Sequence, residues 1–307
     1  MNILVIGVSF SDIKGFPFGT YDPIGTNHGR VSITHGGVAR NVAEDMAVLG
    51  AQVRFPLMLG TDPIETGIRQ ALEMAGVDVS DAVRVKGTGS GLWLAVFNEK
   101  GELAGSVSQM PEVAPLEEML REKGERLVSE ADAVVVEFDT SPFIASYCCE
   151  LAQKLHKPVY AIVGNMSVML ALPELVAKTR CAIMNEIEAG KLFDADICGM
   201  NDEEALDFVR RQAAQRAYRA IVVTRGPKGS VWADIENDVC GIVPRINCRV
   251  VDTTGAGDAF FSAAVLALTR GDSVQTACEK GALLASRVIQ TEQSACPADC
   301  AGMFRSK

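Results

Sequence analysis

Short apolar runs alternate with longer amphipathic ones along most of the chain. NILVIG, RNVAEDMAVLG, VRFPLML and TGIRQALEMAG read as strand, helix, strand and helix, and AVVVEF, IASYCCELAQKL, PVYAIV, CAIM and AIVVT continue the alternation. Strands separated by helix-length segments imply crossover connections and a mostly parallel sheet covered on both faces, an α/β architecture. Near the end, Phe260, Ala263, Ala264, Ala267 and Leu268 recur at helical spacing, while Ala259, Phe261, Val265 and Leu266 cover the remaining sides. A helix apolar all round is expected to be buried. Two stretches break the rhythm. Residues 14–34 are polar and punctuated by glycine and proline, which predicts a loop-like excursion, and residues 91–107 read as a hairpin turning at Asn98-Glu99-Lys100-Gly101. Together they are expected to form a small lid beside the main body.

Composition narrows the function classes. With 307 residues, 48% of them hydrophobic and 22% charged, the chain is ordinary globular material, and it contains no apolar run of the roughly 18 residues that a membrane span requires. The opening MNILVIGVSFSD lacks a basic leader and meets an acid early, so it reads as a first strand, and a cytoplasmic protein is expected. A net charge of −10 argues against a nucleic-acid partner, whose phosphates are gripped by clustered Lys and Arg, and favours a small-molecule ligand. Nine cysteines without CxxC spacing, beside only three histidines, point to reduced, mostly buried thiols and not to a zinc site.

The candidate chemistry clusters after predicted strands, where open α/β sheets bind ligands. The segment DTTGAGDAFF, from Asp252, places Gly255, Ala256, Gly257 and Asp258 at the start of the buried helix. Backbone N–H groups there have no intrahelical partner, the small residues admit a bulky group, and the helix dipole favours an anion such as phosphate. A cap alone would need one acid and no glycine pair. Asp12 follows the first strand and can accept from the two hydroxyls of a sugar diol, or can simply form a turn. Gly36 and Gly37 allow close backbone approach, and Asn41 offers both a donor and an acceptor on the next helix. Asn185 and Glu188 share one helical face, suited either to ordering magnesium-bound waters or to capping. Thr224, Gly226 and Gly229 form a turn that can pass under phosphates or a ribose, or serve as a plain hairpin turn.

In this order the motifs resemble the ribokinase-like (PfkB-type) carbohydrate and nucleoside kinases across essentially the whole chain, most specifically through Asp-Thr-Thr-Gly-Ala-Gly-Asp. The resemblance implies a three-layer α/β/α fold with a central, mostly parallel sheet and a small β lid. It implies one kinase domain over residues 1–307, with the lid drawn from about residues 14–34 and 87–110. It further implies ATP and Mg²⁺ as cofactors, Asp258 as catalytic base, and an anion hole from the N–H groups of Gly255, Ala256, Gly257 and Asp258. Asn185 and Glu188 would tend Mg²⁺ and phosphates, the metal through water at Glu188. Thr224, Gly226 and Gly229 would line the ATP site. Asp12, Gly36, Gly37 and Asn41 would hold the phosphate acceptor, and Asp252 and Thr254 match positions that bind a monovalent cation such as K⁺ in some members. Within the family, GGVARN and the early Asp-Ile-Lys-Gly look most like pseudouridine kinases, which would make Lys14 a further acceptor contact and pseudouridine the expected acceptor. Ribose, a hexose or another nucleoside are the alternatives, and a homodimer through the lid is the oligomer expected.

Two other classes compete. A dinucleotide-binding oxidoreductase would share the strand MNILVIG, but no GxGxxG follows it. A catalytically silent sugar-binding regulator would have no need to keep Asp258, Asn185 and Glu188 together.

Overall fold

The structure, a computed structural model, describes residues 1–61 and 63–304; residues 62 and 305–307, which a domain spanning the whole chain includes, lie outside the described residues. The first half builds β1 (Asn2–Ile6), β2 (Phe10–Pro17), β3 (Gly29–Gly36), α1 (Val38–Val48), β4 (Gln52–Arg54), β5 (Met58–Leu59), α2 (Pro63–Met74), β6 (Val83–Arg84), β7 (Gly91–Phe97), β8 (Leu103–Gln109), α3 (Ala114–Glu130) and β9 (Ala133–Glu137). The second half adds α4 (Pro142–Lys154), β10 (Val159–Ile162), α5 (Ser167–Ala171), β11 (Ala182–Asn185), α6 (Glu186–Phe193), α7 (Asp202–Gln215), β12 (Ala220–Thr224), β13 (Ser230–Asp234), β14 (Val239–Val243), α8 (Ala256–Thr269) and α9 (Val274–Val288).

The central sheet runs β4-β1-β9-β10 with every pair parallel, then β11-β12-β13-β14, in which β11 and β12 are parallel and the last two pairings antiparallel. The two halves abut where the Arg180 N–H donates to the Val159 carbonyl at 2.8 Å. Strand alternation sends successive side chains to opposite faces. Ile3, Val5, Val135 and Val222 therefore join one core with α1, α2, α8 and α9, while Leu4, Ile6, Val136 and Val223 join a second with α3, α4, α6 and α7. The result is a three-layer α/β/α fold. Truncating a leucine to alanine in either core is expected to cost about 2–5 kcal/mol.

Residues 259–268 of α8 are all buried, packed against α1 and α9. VRFPLML is not one strand. It splits into β4 and β5 around Phe55–Leu57, because Pro56 offers no N–H to a ladder. Residues 14–34, expected to be loop-like, instead complete β2 and β3; only residues 18–28 connect them. Phe10 to Pro17 pair antiparallel with Gly29 to Gly36, and Phe10 to Gly15 also pair parallel with Gly91 to Val96. That long-range pairing supplies hydrogen bonds which no local pattern of glycine and proline announces. The outlying sheet has the order β3-β2-β7-β8. Among the described residues, no helix is long and apolar enough to cross a membrane.

Candidate active site

The N-terminus of α8 begins at Gly255, whose φ of 79° is a left-handed geometry that glycine adopts without cost, and where a Cβ would lie 2.0 Å from the Ser294 carbonyl oxygen. At Gly257 a Cβ would meet nothing within 4 Å, so that side of the helix start is open. Among the described residues the N–H groups of Gly255, Gly257 and Asp258 have no protein acceptor, whereas that of Ala256 donates to the Thr253 carbonyl at 3.2 Å. The helix therefore presents three free amides and its positive dipole end at one opening.

Asp258, in the first turn, is held from α1: Asn41 Nδ2 donates to its Oδ2 at 2.8 Å. Asn41 is itself positioned by Arg40, which donates to Asn41 Oδ1 at 3.0 Å and ion-pairs Glu44. Burial pushes the Asp258 carboxyl up to about 7, and the negative charge of Glu188 adds to this, while the Asn41 bond and the Arg40 charge oppose it. A carboxyl poised there can accept a proton near neutral pH.

Asp12 lies in β2, opposite Thr34 on one side and Trp93 on the other, and burial raises its carboxyl above the usual range against the pull of Lys14 and Arg40. Gly36 makes room for that carboxylate: a Cβ there would stand 2.5 Å from both Asp12 oxygens. Gly37, the residue before α1, has a φ of 96° and is packed on the backbone of Val8 to Phe10. Lys14 is on the same strand, its ammonium 5.9 Å from the Trp93 ring centroid.

Asn185 and Glu188 form a capping box at the start of α6. Asn185 Oδ1 accepts from the Ile187 and Glu188 N–H groups at 2.9 Å, and Glu188 Oε2 accepts from the Asn185 N–H at 2.8 Å. Burial raises the Glu188 carboxyl, and the charge of Asp139 adds to it. Thr224 ends β12 and leads into the turn to β13, where Gly226 has a φ of 51° and open space around it, and Gly229 has a φ of 89° with the Val243 carbonyl 2.3 Å from where a Cβ would be. Asp252 Oδ1 accepts from both the N–H and the hydroxyl of Thr254 at 2.8 Å, a local turn.

Sequence reasoning missed several groups at the same end of the sheet. Glu137 ends β9, accepts from the Val8 N–H at 3.0 Å, and is pushed by burial up to about 7, with Asp139 and Asp258 adding to the shift. Its place at the carboxyl end of the strand AVVVE was the available signal. Asp139 gathers the N–H groups of Gly164, Met166 and Val168, each at 2.9 Å. Arg225, wholly buried between Thr224 and Gly226, ion-pairs Glu186 and Asp202. Asp45, wholly buried in α1, accepts from the Cys296 N–H at 2.6 Å and from the Ser262 hydroxyl at 3.5 Å. Among the described residues no group of His, Cys, Asp and Glu forms a ready metal cage. The nine cysteines are unpaired, six of them buried.

The sequence matches the description "pfkB family carbohydrate kinase" over residues 2–299. It is 33% identical over 292 residues to a guanosine-inosine kinase of Exiguobacterium acetylicum, spanning 95% of each chain. It is 24% identical over 264 residues to a pseudouridine kinase of Escherichia coli (strain K12), spanning 85% of this chain and 81% of that one. Among solved structures, the Arabidopsis thaliana ribokinase complexed with ribose and ATP superposes with a TM-score of 0.81 at 21% identity, over 97% of this chain and 96% of that one.

Proposed function

Because the chain belongs to the pfkB family of carbohydrate kinases, we propose that it transfers the γ-phosphoryl group of ATP to the primary 5′-hydroxyl of a nucleoside. The observation that carries this reading is Asp258, held by Asn41 beside the open amides of the α8 N-terminus, with Asp12 within reach of the same Arg40 charge. The acceptor oxygen forms a bond to the γ-phosphorus as the bond to the ADP oxygen breaks, and Asp258 takes the acceptor proton. In the loose transition state of phosphoryl transfer the protein mainly positions the reactants and stabilises charge. The N–H groups of Gly255, Gly257 and Asp258 face the developing negative charge. Asp12 orders the ribose diol, and the turn holding Thr224, Gly226 and Gly229 carries the nucleotide. Ala256, its N–H engaged by Thr253, contributes by being small.

Magnesium fits the donor set. The charges of Asp139 and Asp258 raise the Glu137 carboxyl, that of Asp139 raises Glu188 and that of Glu188 raises Asp258, so these acids are close enough to feel one another, and Mg²⁺ keeps most of its waters and needs few protein oxygens. When bound, it neutralises the charge between the β- and γ-phosphates. Glu188 would hold it through water, with Asn185 fixing the helix start. A monovalent cation beside Asp252 and Thr254 belongs to the same reading, tested by replacing K⁺ with tetramethylammonium.

The β3-β2-β7-β8 sheet acts in this reading as the lid. Its outer face carries a row formed by Ile33, Ile13, Leu94 and Val107, in which Ile33, Leu94 and Val107 are exposed, and a second copy of the chain pairs there. A monomeric mass by light scattering at micromolar protein would remove that pairing.

The identity to the guanosine-inosine kinase favours a purine nucleoside, and the GGVARN and Asp-Ile-Lys-Gly stretches favour pseudouridine. The test is a product assay with MgATP on guanosine, inosine, pseudouridine, adenosine, ribose and fructose. Nucleosides should be phosphorylated with far higher kcat/KM than the free sugars, and the reverse order defeats the nucleoside reading.

A further inference from the structure

The inner face of the outlying sheet has a chemistry that a sugar kinase does not require. Register places Trp93 beside Asp12 on adjacent parallel strands, so both side chains point to the same side, and Lys14, two residues on from Asp12, shares that side with its ammonium 5.9 Å from the indole centroid. Trp93 is half-buried and turned away from the outer apolar row of Ile33, Leu94 and Val107. One surface thus offers a carboxylate, a flat aromatic plate and a cation over that plate.

A free pentose or hexose offers an indole only its C–H groups, whereas a nucleobase offers a full π-face, and base–aromatic stacking is sequence-tolerant because every base has one. The cation adds discrimination. A lysine ammonium carries three donors and no acceptor, so it pairs with a ring carbonyl but not with an exocyclic amino group. Its flexible stem lets it move to the edge of a base lying on Trp93. Deepening the nucleoside-kinase reading, on which this rests, we infer that Trp93 is the platform on which the acceptor's nucleobase stacks and that Lys14 donates to an oxo group of that base. The site then prefers hypoxanthine, guanine and uracil bases, which carry a carbonyl next to a ring N–H, over adenine, which carries an amino group there.

Intrinsic fluorescence tests the platform without reference to turnover, since the chain has two tryptophans and the other, Trp232, is 5% exposed in the core. Inosine should quench the emission of the whole protein. It should not quench Trp93→Phe, whose remaining tryptophan, Trp232, lies in the core. Trp93→Leu should raise KM for inosine about 10-fold with kcat changed much less, the size expected of one lost base stack. Lys14→Met should narrow the preference for inosine over adenosine by about 10-fold, as expected when a charged donor to a carbonyl is lost. Phosphorylation of inosine with no quenching and with unchanged KM in Trp93→Leu would overturn the platform while leaving the nucleoside kinase in place. Adenosine used better than inosine by the unmutated protein overturns the Lys14 assignment. Phosphorylation of ribose and of no nucleoside overturns both this inference and the reading beneath it.

Discussion

Asn41 and Asp258, 217 positions apart in the chain, meet in a 2.8 Å hydrogen bond that ties the first turn of α1 to the first turn of α8. The amide donates to the carboxylate, so it favours the charged form of a group that burial otherwise pushes up to about 7. In the proposed reaction this pair couples the acceptor-binding side to the proton acceptor.

Asp258→Asn keeps the shape and removes the proposed base. Turnover is expected to fall by roughly 10² to 10⁴, the usual range for a general base, with ATP binding largely retained. Steady-state kinetics paired with calorimetric nucleotide binding check this, and near-normal turnover would take Asp258 out of the reaction.

The pH profile follows from the same carboxyl. Because Asp258 must be unprotonated to act, kcat/KM should rise with pH through about 7. Asn41→Leu removes a donor to the charged form, so the acid limb should move to higher pH, whatever happens to the plateau. A limb that stays put or moves down contradicts the pairing. Stability carries the opposite sign: a folded-state pKa above the usual carboxylate value contributes stability that is fully present at low pH and is lost as pH rises through about 7. The Tm of Asp258→Asn relative to the unmutated protein should therefore climb between pH 4 and pH 8.

The two glycines of the α8 start should separate. Gly257→Val adds a side chain into open space, so the protein should fold with a near-normal Tm while ATP turnover collapses. Gly255→Val forces a left-handed residue against the Ser294 carbonyl and should lower Tm sharply. A folded Gly257→Val protein with full activity would mean that the helix opening does not receive phosphate.

Asp45 anchors the chain's last segment. It accepts the Cys296 N–H, and the Ser262 hydroxyl within 3.5 Å of it also donates to the Asp258 carbonyl at 2.7 Å. Asp45→Ala leaves that buried N–H without a partner and should cost about 1–3 kcal/mol, with residues 291–300 becoming sensitive to limited proteolysis. Asp45→Asn retains an acceptor and should restore most of the loss. Equal stability of all three proteins by denaturant unfolding would show the contact to be idle.

The sequence by itself determined the parts governed by local period and local backbone chemistry. The apolar runs became the strands of the central sheet, and the all-round apolar stretch after Asp258 became α8, since a helix of that composition has no stable place outside a core. The glycines and acids at its start were legible because few backbones need both at once, and they carried the family with them. Tertiary structure decided the rest. Residues 14–34 became strands because β7 supplies the partner hydrogen bonds from some eighty residues away, which outweighs a local preference for turns. Arg225 could be buried only because Glu186 and Asp202 converge on it, and Asp45 only because Cys296 brings an N–H to it. Trp93 came beside Asp12 through the register of two parallel strands. A charge or an indole takes its role from neighbours distant in sequence, and those neighbours exist only once the sheet has closed.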